Sequence, residues 1–314
     1  MLVSVLAVSY NNLEGLYPTF QSILDQDWPE IEIIVSDDSS RDYEEYQPKL
    51  ARFLEEKKRD NLKRVVWNPH AQNGGTVKNT NSALRLAQGD YVISISPEDL
   101  LANEHALSDL VRCLQETGRD ICFGKIRGQT PDGEFRDYLI SCESDYDLLK
   151  SYTVEQTRNR LFVRDFLPAP AAMMTRKLFE ENGLYPETTR LIEDYPYWLE
   201  LTRKGVEFAY LDEVVVIYRL SGVSGQGNYG EAFMNDMFVI YEKYIFPYDR
   251  RYGILQPVYN WLKWDGLKFY MAKARWSRFP LWKRCLLRLR YLHFFVYTSL
   301  QDYRVQRKNR RQKA

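Results

Sequence analysis

The chain has 314 residues, enough for one large domain or two ordinary ones with a substantial buried core. Apolar residues make up 45% and charged residues 27%, which is typical of a folded globular protein and excludes a largely disordered chain. Forty-three basic residues balance forty-three acidic ones, which argues against a nucleic-acid-like basicity overall, although residues 268–314 hold fourteen Lys and Arg against one acid, Asp302.

The cysteines and the apolar segments bear on the cellular compartment. The four cysteines form no Cys-x-x-Cys pair and no zinc-binding spacing, so free thiols in a reducing cytosol are predicted. The apolar N-terminus lacks the positive residues of a signal peptide and is predicted to be a strand. No stretch reaches the roughly 18 uncharged apolar residues of a membrane-spanning helix. We therefore expect a cytoplasmic protein. The cysteines are Cys113, Cys122, Cys142 and Cys285.

Over residues 1–100, apolar runs alternate with helical patterns. The runs 2–9 and 31–36 are predicted strands, and apolar residues recur between them at helical spacing over 13–24. Continuous apolar strands separated by helices indicate an α/β fold with a mostly parallel sheet, in which ligands bind beyond the carboxyl ends of the strands. The alternation continues with helices predicted at 50–58 and 77–86 and strands at 65–67 and 90–96.

After residue 100 the alternation gives way to a mixed pattern and then to helices. Four glycines between residues 222 and 230 predict a flexible connection, so we expect one domain at 1–222 and a helical, aromatic and basic region at 223–314. Within the first domain, helices are predicted at 106–116, 176–181 and 196–204, strands at 120–127, 171–175 and 214–218, and a loop at 161–170.

Two pairs of acids follow predicted strands. Asp37 and Asp38 end the second strand, and Glu98 and Asp99 come just after the strand at 90–96. A carboxylate at such a strand end can accept a hydrogen bond from a base or a ribose hydroxyl, and one or two carboxylates suffice for a nucleotide-bound Mg²⁺ or Mn²⁺. A turn at the first pair and a helix N-terminus at the second explain the same acids without any ligand.

Two helix starts also carry charge. Lys78 follows the turn at 73–75, where a cation could meet a diphosphate, although a solvated lysine is the alternative. Glu193 and Asp194 directly precede Pro196, the expected first residue of a helix. The helix dipole favours acids at this place whatever their function, and it is expected to lower the pKa of Asp194 and keep the carboxylate ionised.

Taken in order, these motifs resemble those of the family 2 glycosyltransferases, which have the GT-A fold, over roughly residues 2–225. The resemblance implies a Rossmann-like nucleotide-binding domain of GT-A type, with a nucleotide-sugar half at 1–99 and an acceptor half at 100–222. It also implies inverting transfer of a sugar from a nucleotide-diphosphate donor. The motifs that carry it are residues 3–12, 32–40 and 89–93, Glu193-Asp194 ahead of an aromatic-rich helix, and Tyr218-Arg219.

The resemblance implies a role for each matching position. Asp194 would be the catalytic base that deprotonates the acceptor, and Glu98 would bind Mn²⁺ or Mg²⁺. Lys78 and Asn79 would occupy the place of an Arg-Asn pair in the family, and Arg219 would lie near the diphosphate. The positions expected to bind the nucleotide-sugar donor are Val8, Ser9, Tyr10, Asp38, Lys78, Asn79, Ser96 and Arg219.

One motif departs from the family pattern. Where the family has Asp-x-Asp-Asp, this chain has Ser96-Pro97-Glu98-Asp99, so the first acid is lost and the second is a longer Glu. One fewer carboxylate is expected to weaken binding of a divalent metal, which leaves metal-independent or feeble activity open. Ser221 also stands where many relatives have a histidine after Tyr-Arg, which puts part of the diphosphate site in doubt.

Aromatic and cationic side chains interleave between residues 258 and 311. Helices of this composition are typical of a membrane interface, where rings lie at headgroup level and cations attract anionic lipid. A helical subdomain with a solvated basic face is the alternative. Nucleic-acid binding is not expected, because the chain carries no RNA- or DNA-binding motif.

The sequence therefore predicts an inverting glycosyltransferase that acts on a saccharide or lipid-linked acceptor in bacterial cell-surface polysaccharide synthesis, at the inner face of the cell membrane. A nucleotide-sugar-binding relative without catalysis and a peripheral membrane scaffold are the alternatives. The donor sugar, the acceptor, the oligomeric state and any catalytic role of Glu193 or Asp99 stay open. The prediction requires Asp38, Glu98 and Asp194 to converge.

Overall fold

The chain divides into two compact units, Met1–Gly227 and Asn228–Ala314. The computed structural model describes residues 1–130, 132–137, 149–220 and 230–292. The glycine-rich connection between 222 and 230 lies outside the described residues except for Gly230, as do Cys142, Ser221 and the basic end of the chain. The other three cysteines are free thiols, as predicted.

Within the described part of the chain, nine strands of the first unit form one sheet. They are β1 (Val3–Ser9), β2 (Ile31–Asp37), β3 (Leu62–Pro69), β4 (Tyr91–Ile95), β5 (Leu100–Leu101), β6 (Ile121–Gln129), β7 (Phe135–Asp137), β8 (Ala172–Thr175) and β9 (Ala209–Arg219). Their order is β3-β2-β1-β4-β8-β6-β9-β5, with β7 paired to β6.

Strand direction decides which ends meet. The strands β1 to β4 are mutually parallel, and β8 is antiparallel to both β4 and β6. Because β9 is parallel to β6, it points the same way as the first four strands. The carboxyl ends of β1, β2, β4 and β9 therefore lie along one edge of the sheet, where parallel α/β sheets bind their ligands.

Helices pack around this sheet, and its central strands are buried on both faces. Every residue of β2 and all of β1 except Val8 are buried, which is why both strands read as continuous apolar runs. The described α-helices of the first unit are α1 (Leu16–Leu24), α2 (Tyr43–Lys57), α3 (Thr76–Leu86), α4 (Ala106–Thr117), α5 (Val154–Leu161), α6 (Arg176–Asn182) and α7 (Asp194–Arg203).

The sequence prediction of an α/β fold with a mostly parallel sheet is confirmed, and its errors lie at polar segments. Helix α2 begins at Tyr43 and not at residue 50. The prediction missed its first two turns because they are polar and contain no fully buried residue before Leu50. The predicted loop at 161–170 is preceded by an unpredicted helix, α5, which a reciprocal capping box between Thr153 and Gln156 starts. Helix α7 begins at Asp194, with Pro196 inside its first turn.

The second unit is helical, as predicted. Its described helices are α8 (Glu231–Ile240), α9 (Gln256–Ala274) and α10 (Leu281–Arg290), and a π-helical turn (Tyr241–Ile245) follows α8. A buried ion pair joins Asp249 to Arg251 at 2.7 Å, and the Glu231 carboxylate binds Arg275 and Arg278. Among the described helices, none has the length and hydropathy needed to cross a bilayer.

Candidate active site

Three residues just past the aligned strand ends adopt left-handed backbone conformations. Asn11, Ser39 and Glu98 have φ angles of 52°, 66° and 72°, and they follow β1, β2 and β4 respectively. A non-glycine residue in this region costs on the order of 1 kcal/mol and is maintained only by surrounding contacts. Such conformations concentrate at functional sites, so this edge of the sheet is the candidate site.

Asp37 holds the turn after β2 against the end of β1. Its buried carboxylate accepts hydrogen bonds from Ser9 Oγ at 2.9 Å and from the backbone N–H of Ser40 at 2.8 Å. The Asn11 N–H in turn donates to Ser40 Oγ at 2.7 Å. Ser9, a predicted donor-binding residue, is therefore a buried partner of Asp37 at the rim of the site.

Asp38 fastens the end of β2 to the loop before α3. The Gly74 N–H donates to Asp38 Oδ1 at 2.7 Å, and the Gly75 N–H donates to Asp38 Oδ2 at 2.8 Å. The Asn73 side chain adds a bond to the Asp38 carbonyl at 3.3 Å. Asp38 is a predicted donor-binding residue, and in this structure both of its carboxylate oxygens position backbone at the site.

Lys78 and Asn79 lie next to each other on α3 but in different surroundings. Lys78 is exposed, as a contact with a diphosphate requires. Asn79 is buried, and its Nδ2 donates to the carbonyls of Ser9 at 3.2 Å and Ser36 at 3.1 Å. Its Oδ1 accepts from Ser36 Oγ at 2.6 Å. Asn79, which the sequence predicts as a donor-binding residue, uses its amide to tie α3 to β1 and β2.

The segment ahead of α7 packs on the start of α3. The Val77 N–H donates to the Arg190 carbonyl at 3.1 Å, and Arg190 Nη2 donates to Asn73 Oδ1 at 2.5 Å. Gly75 has a φ of 91°, and a Cβ on it would lie 2.4 Å from Arg190 Cγ. Because Asp38 also binds Gly75, these contacts connect the end of β2 with the chain just ahead of Asp194.

Asp194 opens α7, and the aromatic residues behind it fix this end of the helix. The Trp198 ring packs edge-to-face on Phe123 at 5.1 Å, and Tyr195 Oη donates to the Leu161 carbonyl. Burial raises the pKa of Asp194 to about 6, while the N–H groups of Tyr195 and of Asp194 itself act in the opposite direction. The expected lowering by the helix dipole is therefore wrong, because lost hydration outweighs it.

A second carboxylate interacts electrostatically with Asp194 and was not predicted. Asp165 lies between α5 and β8, in the segment that the sequence predicts as a loop, and burial raises its pKa well above the usual range. The negative charges of Asp194 and Glu193 act in the same direction, whereas the N–H of Leu167, 3.4 Å from Oδ1, opposes them. An acid directly before the apolar pair at 166–167 is the only sequence signal for it.

Glu98, the predicted metal ligand, sits where the β4 loop meets the β1 loop. Its N–H donates to the Gly15 carbonyl at 2.8 Å, and Asn12 Nδ2 donates to its Oε1 at 3.2 Å. A Cβ on Gly15 would lie only 2.8 Å from Glu98 Cγ, so glycine there lets the two loops approach. The contact places the Glu98 side chain beside the end of β1.

Asp99 brings the end of β9 to the same loop. Its buried Oδ1 accepts from the Arg219 N–H at 2.9 Å, and its carbonyl accepts from Thr19 Oγ1 at 2.9 Å. Burial raises the pKa of Asp99 to about 7, the Arg219 N–H opposes the shift and the charge of Glu98 adds to it. Arg219 and Glu98, both predicted near the diphosphate, are thus on directly bonded segments.

The acids at this edge fit a divalent ion that arrives with a nucleotide. Across the described residues, no group of three His, Cys, Asp or Glu side chains could hold a metal. Glu98 supplies one carboxylate, while Asp99 is buried against the Arg219 backbone. Because Mg²⁺ bound to phosphates needs only one or two protein carboxylates, the donor set suits a nucleotide-bound ion better than a resident one.

The remaining predicted residues lie along the same edge. Val8 is half-buried near the end of β1, and Tyr10, directly after β1, has 52% of its surface exposed. Ser96 is exposed directly after β4, and its carbonyl accepts from the Asp99 N–H at 3.2 Å. An exposed ring beside a strand end offers a face on which a nucleobase can stack.

Known proteins resemble this chain over about two thirds of its length. The poly(ribitol-phosphate) beta-N-acetylglucosaminyltransferase TarS of Staphylococcus aureus is 24% identical over 221 residues, which are 69% of this chain and 35% of TarS. The uncharacterized glycosyltransferase EpsJ of Bacillus subtilis is 28% identical over 221 residues, 69% of this chain and 61% of EpsJ. The chain thus spans less than two thirds of the length of either relative.

Solved structures share the fold. TarS 1-349 in complex with UDP-GlcNAc superposes with a TM-score of 0.59 and 20% identity over 87% of this chain and 71% of that one. The mannosyltransferase PcManGT of Pyrobaculum calidifontis, in complex with GDP-Man and Mn²⁺, superposes with a TM-score of 0.59 and 18% identity. The superposition covers 96% of this chain and 84% of that one. The predicted GT-A architecture is confirmed by this likeness.

A family model supplies the remaining comparison. Residues 4–183, more than half of the chain, match the model for glycosyl transferase family 2. The match includes the ends of β1, β2 and β4 with their left-handed residues, and it stops short of Asp194 and Arg219. On this match, the chain belongs to glycosyl transferase family 2.

Proposed function

We propose that the protein is an inverting glycosyltransferase that moves a sugar from a nucleotide-diphosphate donor to a saccharide or lipid-linked saccharide acceptor. The observation that carries the proposal is Asp194: a carboxylate with a pKa of about 6 on a rigidly packed helix start. The contacts from Asp38 through Gly75 to Arg190 connect this helix start with the strand ends. Family membership supplies the reaction class.

Asp194 acts as the general base in this mechanism. It removes the proton from an acceptor hydroxyl while that oxygen forms a bond to the anomeric carbon, and the bond from that carbon to the diphosphate oxygen breaks on the opposite face. A base with a pKa of about 6 is mostly ionised at neutral pH. It is also basic enough to assist the transfer, because general bases work best with a pKa near the working pH.

The donor lies along the strand ends in this proposal. Tyr10 stacks on the base, and the backbone at Val8 and Ser9 together with Asp38 holds the base and ribose. The exposed Lys78 and the Arg219 side chain contact the diphosphate, with Ser96 at the rim. The developing negative charge on the leaving diphosphate is stabilised by these cations. A Mn²⁺ or Mg²⁺ ion bound at Glu98 would neutralise further charge on the same group.

The relatives suggest the donor and the biological role. TarS is named for transfer of N-acetylglucosamine to poly(ribitol-phosphate), and its solved structure contains UDP-GlcNAc. A relative from Bacillus subtilis, 26% identical over 247 residues, is named for teichuronic acid biosynthesis. We propose a UDP-sugar donor and a role in building a cell-surface polysaccharide.

The place of action is part of the proposal. The basic, aromatic region at 223–314 supports a location in the cytoplasm, peripheral at the inner face of the cell membrane, where a lipid-linked acceptor would lie. The nucleotide-sugar half at 1–99 and the acceptor half at 100–222 remain our division of the first domain.

A screen of nucleotide sugars tests the enzyme proposal. The melting temperature of the full chain is measured with each nucleotide sugar, with and without Mn²⁺. Release of nucleoside diphosphate is then measured for each nucleotide sugar that raises the melting temperature. We expect stabilisation by one donor class, release of the diphosphate, and loss of release by about 10²-fold or more in Asp194→Asn with donor binding retained. Unchanged release in Asp194→Asn would refute the assignment of the base.

A catalytically weak nucleotide-sugar-binding relative is the second candidate, and one observation favours it. The metal motif has lost its first acid, so only Glu98 and the buried Asp99 remain after β4. Replacing Ser96 with Asp restores the first acid of the family pattern, and we expect at least tenfold stronger activation by Mn²⁺ in a weakly active protein. No response to Ser96→Asp, together with good activity of the native chain, would exclude this candidate.

A further inference from the structure

The second unit presents a continuous apolar face on α10. Five large side chains along this helix and the turn after it are more than half exposed, and at about 100° per residue they cover one sector of roughly 140° together with the exposed Cys285. They are Leu281 (76% exposed), Trp282 (64%), Leu286 (58%), Leu289 (73%) and Leu292 (57%).

The opposite side of α10 attaches the helix to its own unit. The buried Tyr291 ring packs on Phe269 of α9 at 5.5 Å, and Arg290 reaches Asp265 of the same helix at 3.4 Å. Arg284 donates from Nε to the Phe279 carbonyl at 2.7 Å. Because these contacts take up the other face, the apolar sector is the outer surface of a helix that is already docked.

Cations border this sector on both sides, and α10 contains no acid. Lys283 and Arg290 follow one margin, and Arg284 and Arg288 follow the other. Two of them lie over aromatic rings, Lys283 Nζ at 4.3 Å from the Phe279 ring and Arg288 at 5.4 Å from Trp276. An apolar sector framed by cations and aromatic rings has the composition of a helix that lies in a lipid interface.

We propose that α10 lies in the headgroup layer of an anionic membrane with Leu281, Trp282, Leu286 and Leu289 toward the acyl chains. The inference deepens the proposed function, since it names the element that brings the enzyme to lipid-linked acceptors. Charge argues against a second copy of the chain as the occupant: two α10 helices face to face would bring eight cations together, and of the four on each helix Arg290 is paired with an acid, Asp265 of α9. The sequence at 293–314 adds six Lys and Arg and only one acid.

Vesicle binding of the full chain tests the proposal. The vesicles contain phosphatidylcholine alone or with about one quarter phosphatidylglycerol. We expect sedimentation with the anionic vesicles only. Leu286→Gln with Leu289→Gln should weaken the partition at least tenfold, because two leucines leave the apolar layer. Lys283→Gln should weaken it about fivefold at low salt and less at high salt.

The control variant is Ile254→Gln, which removes an equally apolar side chain, 94% exposed, from a different element of the same unit. A fluorophore on Cys285, in a chain with Cys142→Ser, reports depth, since Cys113 and Cys122 are buried. Its emission should shift to the blue only with anionic vesicles. No shift, or equal loss of binding in Ile254→Gln and in the leucine pair, would overturn the assignment to α10.

Two further measurements separate the possible failures. Sedimentation velocity without lipid should give the same mass for the native chain and the leucine variant; a native oligomer that the variant lacks would show that a second copy covers this face and would overturn the proposal. Hydrolysis of the donor in water should be equal in both proteins, because it requires no membrane. Loss of all hydrolysis in the native chain would count against the enzyme proposal and not against the vesicle result.

Discussion

Replacing Asp194 with Asn should stabilise the protein at neutral pH while it removes the base. In the folded chain, burial raises the pKa of Asp194 to about 6, against 3.8 for an ordinary aspartate. An acid whose pKa is higher in the folded state binds its proton more tightly there, so it supports folding at low pH. That support is lost as the pH rises from about 4 to 6.

The size of the effect follows from the pKa difference. A shift of about two pKa units corresponds to about 3 kcal/mol of folding free energy, all of it missing from the native chain well above pH 6. About half of this amount, on the order of 1–2 kcal/mol, is lost between about pH 5 and pH 7.5. An Asn side chain has no charge to bury, so the stability of the variant does not fall with pH through this group.

Urea unfolding at several pH values measures the difference. The free energy of unfolding of Asp194→Asn, minus that of the native chain, should grow by about 1–2 kcal/mol between about pH 5 and pH 7.5. Asp60→Asn, at an exposed carboxylate, removes the same charge without the burial and serves as the control. A difference that stays flat with pH, or that falls, would show that Asp194 is not desolvated in the folded protein.

Three further outcomes follow from the same geometry. The kcat/KM of the native enzyme should fall about tenfold for each pH unit below about 6 as Asp194 becomes protonated, and a profile flat to about pH 5 would contradict this. Gly75→Ala should lower the free energy of unfolding by about 2 kcal/mol more than Gly183→Ala, measured in urea, because both have positive φ but only a Cβ at position 75 meets Arg190. Asp38→Asn should cost about 1–3 kcal/mol in the same assay, since its amide cannot accept both glycine N–H groups.

The sequence predicts the scaffold well because burial dictates it. The strands β1 and β2 are buried on both faces, so their apolar runs mark them within a residue or two. The polar residues that follow β2 and β4 likewise mark the edge where Asp38 and Glu98 are found. Helix α5 was not predicted because it is polar and half-exposed, and only its Thr153 capping box distinguishes it from a loop.

The roles of individual side chains are harder to predict, because they depend on contacts between distant segments. Asn79 lies one residue beyond the exposed Lys78, yet the carbonyls of Ser9 and Ser36 engage its amide. Neither partner can be identified from the sequence around Asn79. Asp165 was missed for the same reason, since nothing near it in the chain shows that α7 packs against its loop and brings Asp194 close.

Asp165 and Asp194 together explain how a partly buried base can stay charged. If Asp165 and Asp194 were both ionised at neutral pH, each would destabilise the other in surroundings that already disfavour charge. Burial and the charge of Asp194 hold the pKa of Asp165 well above the usual range, while the pKa of Asp194 is about 6. Asp165 therefore keeps its proton and Asp194 releases one. Backbone N–H groups stabilise negative charge at both acids, so the charges of Asp194 and Glu193, which raise the pKa of Asp165 further, distinguish the two.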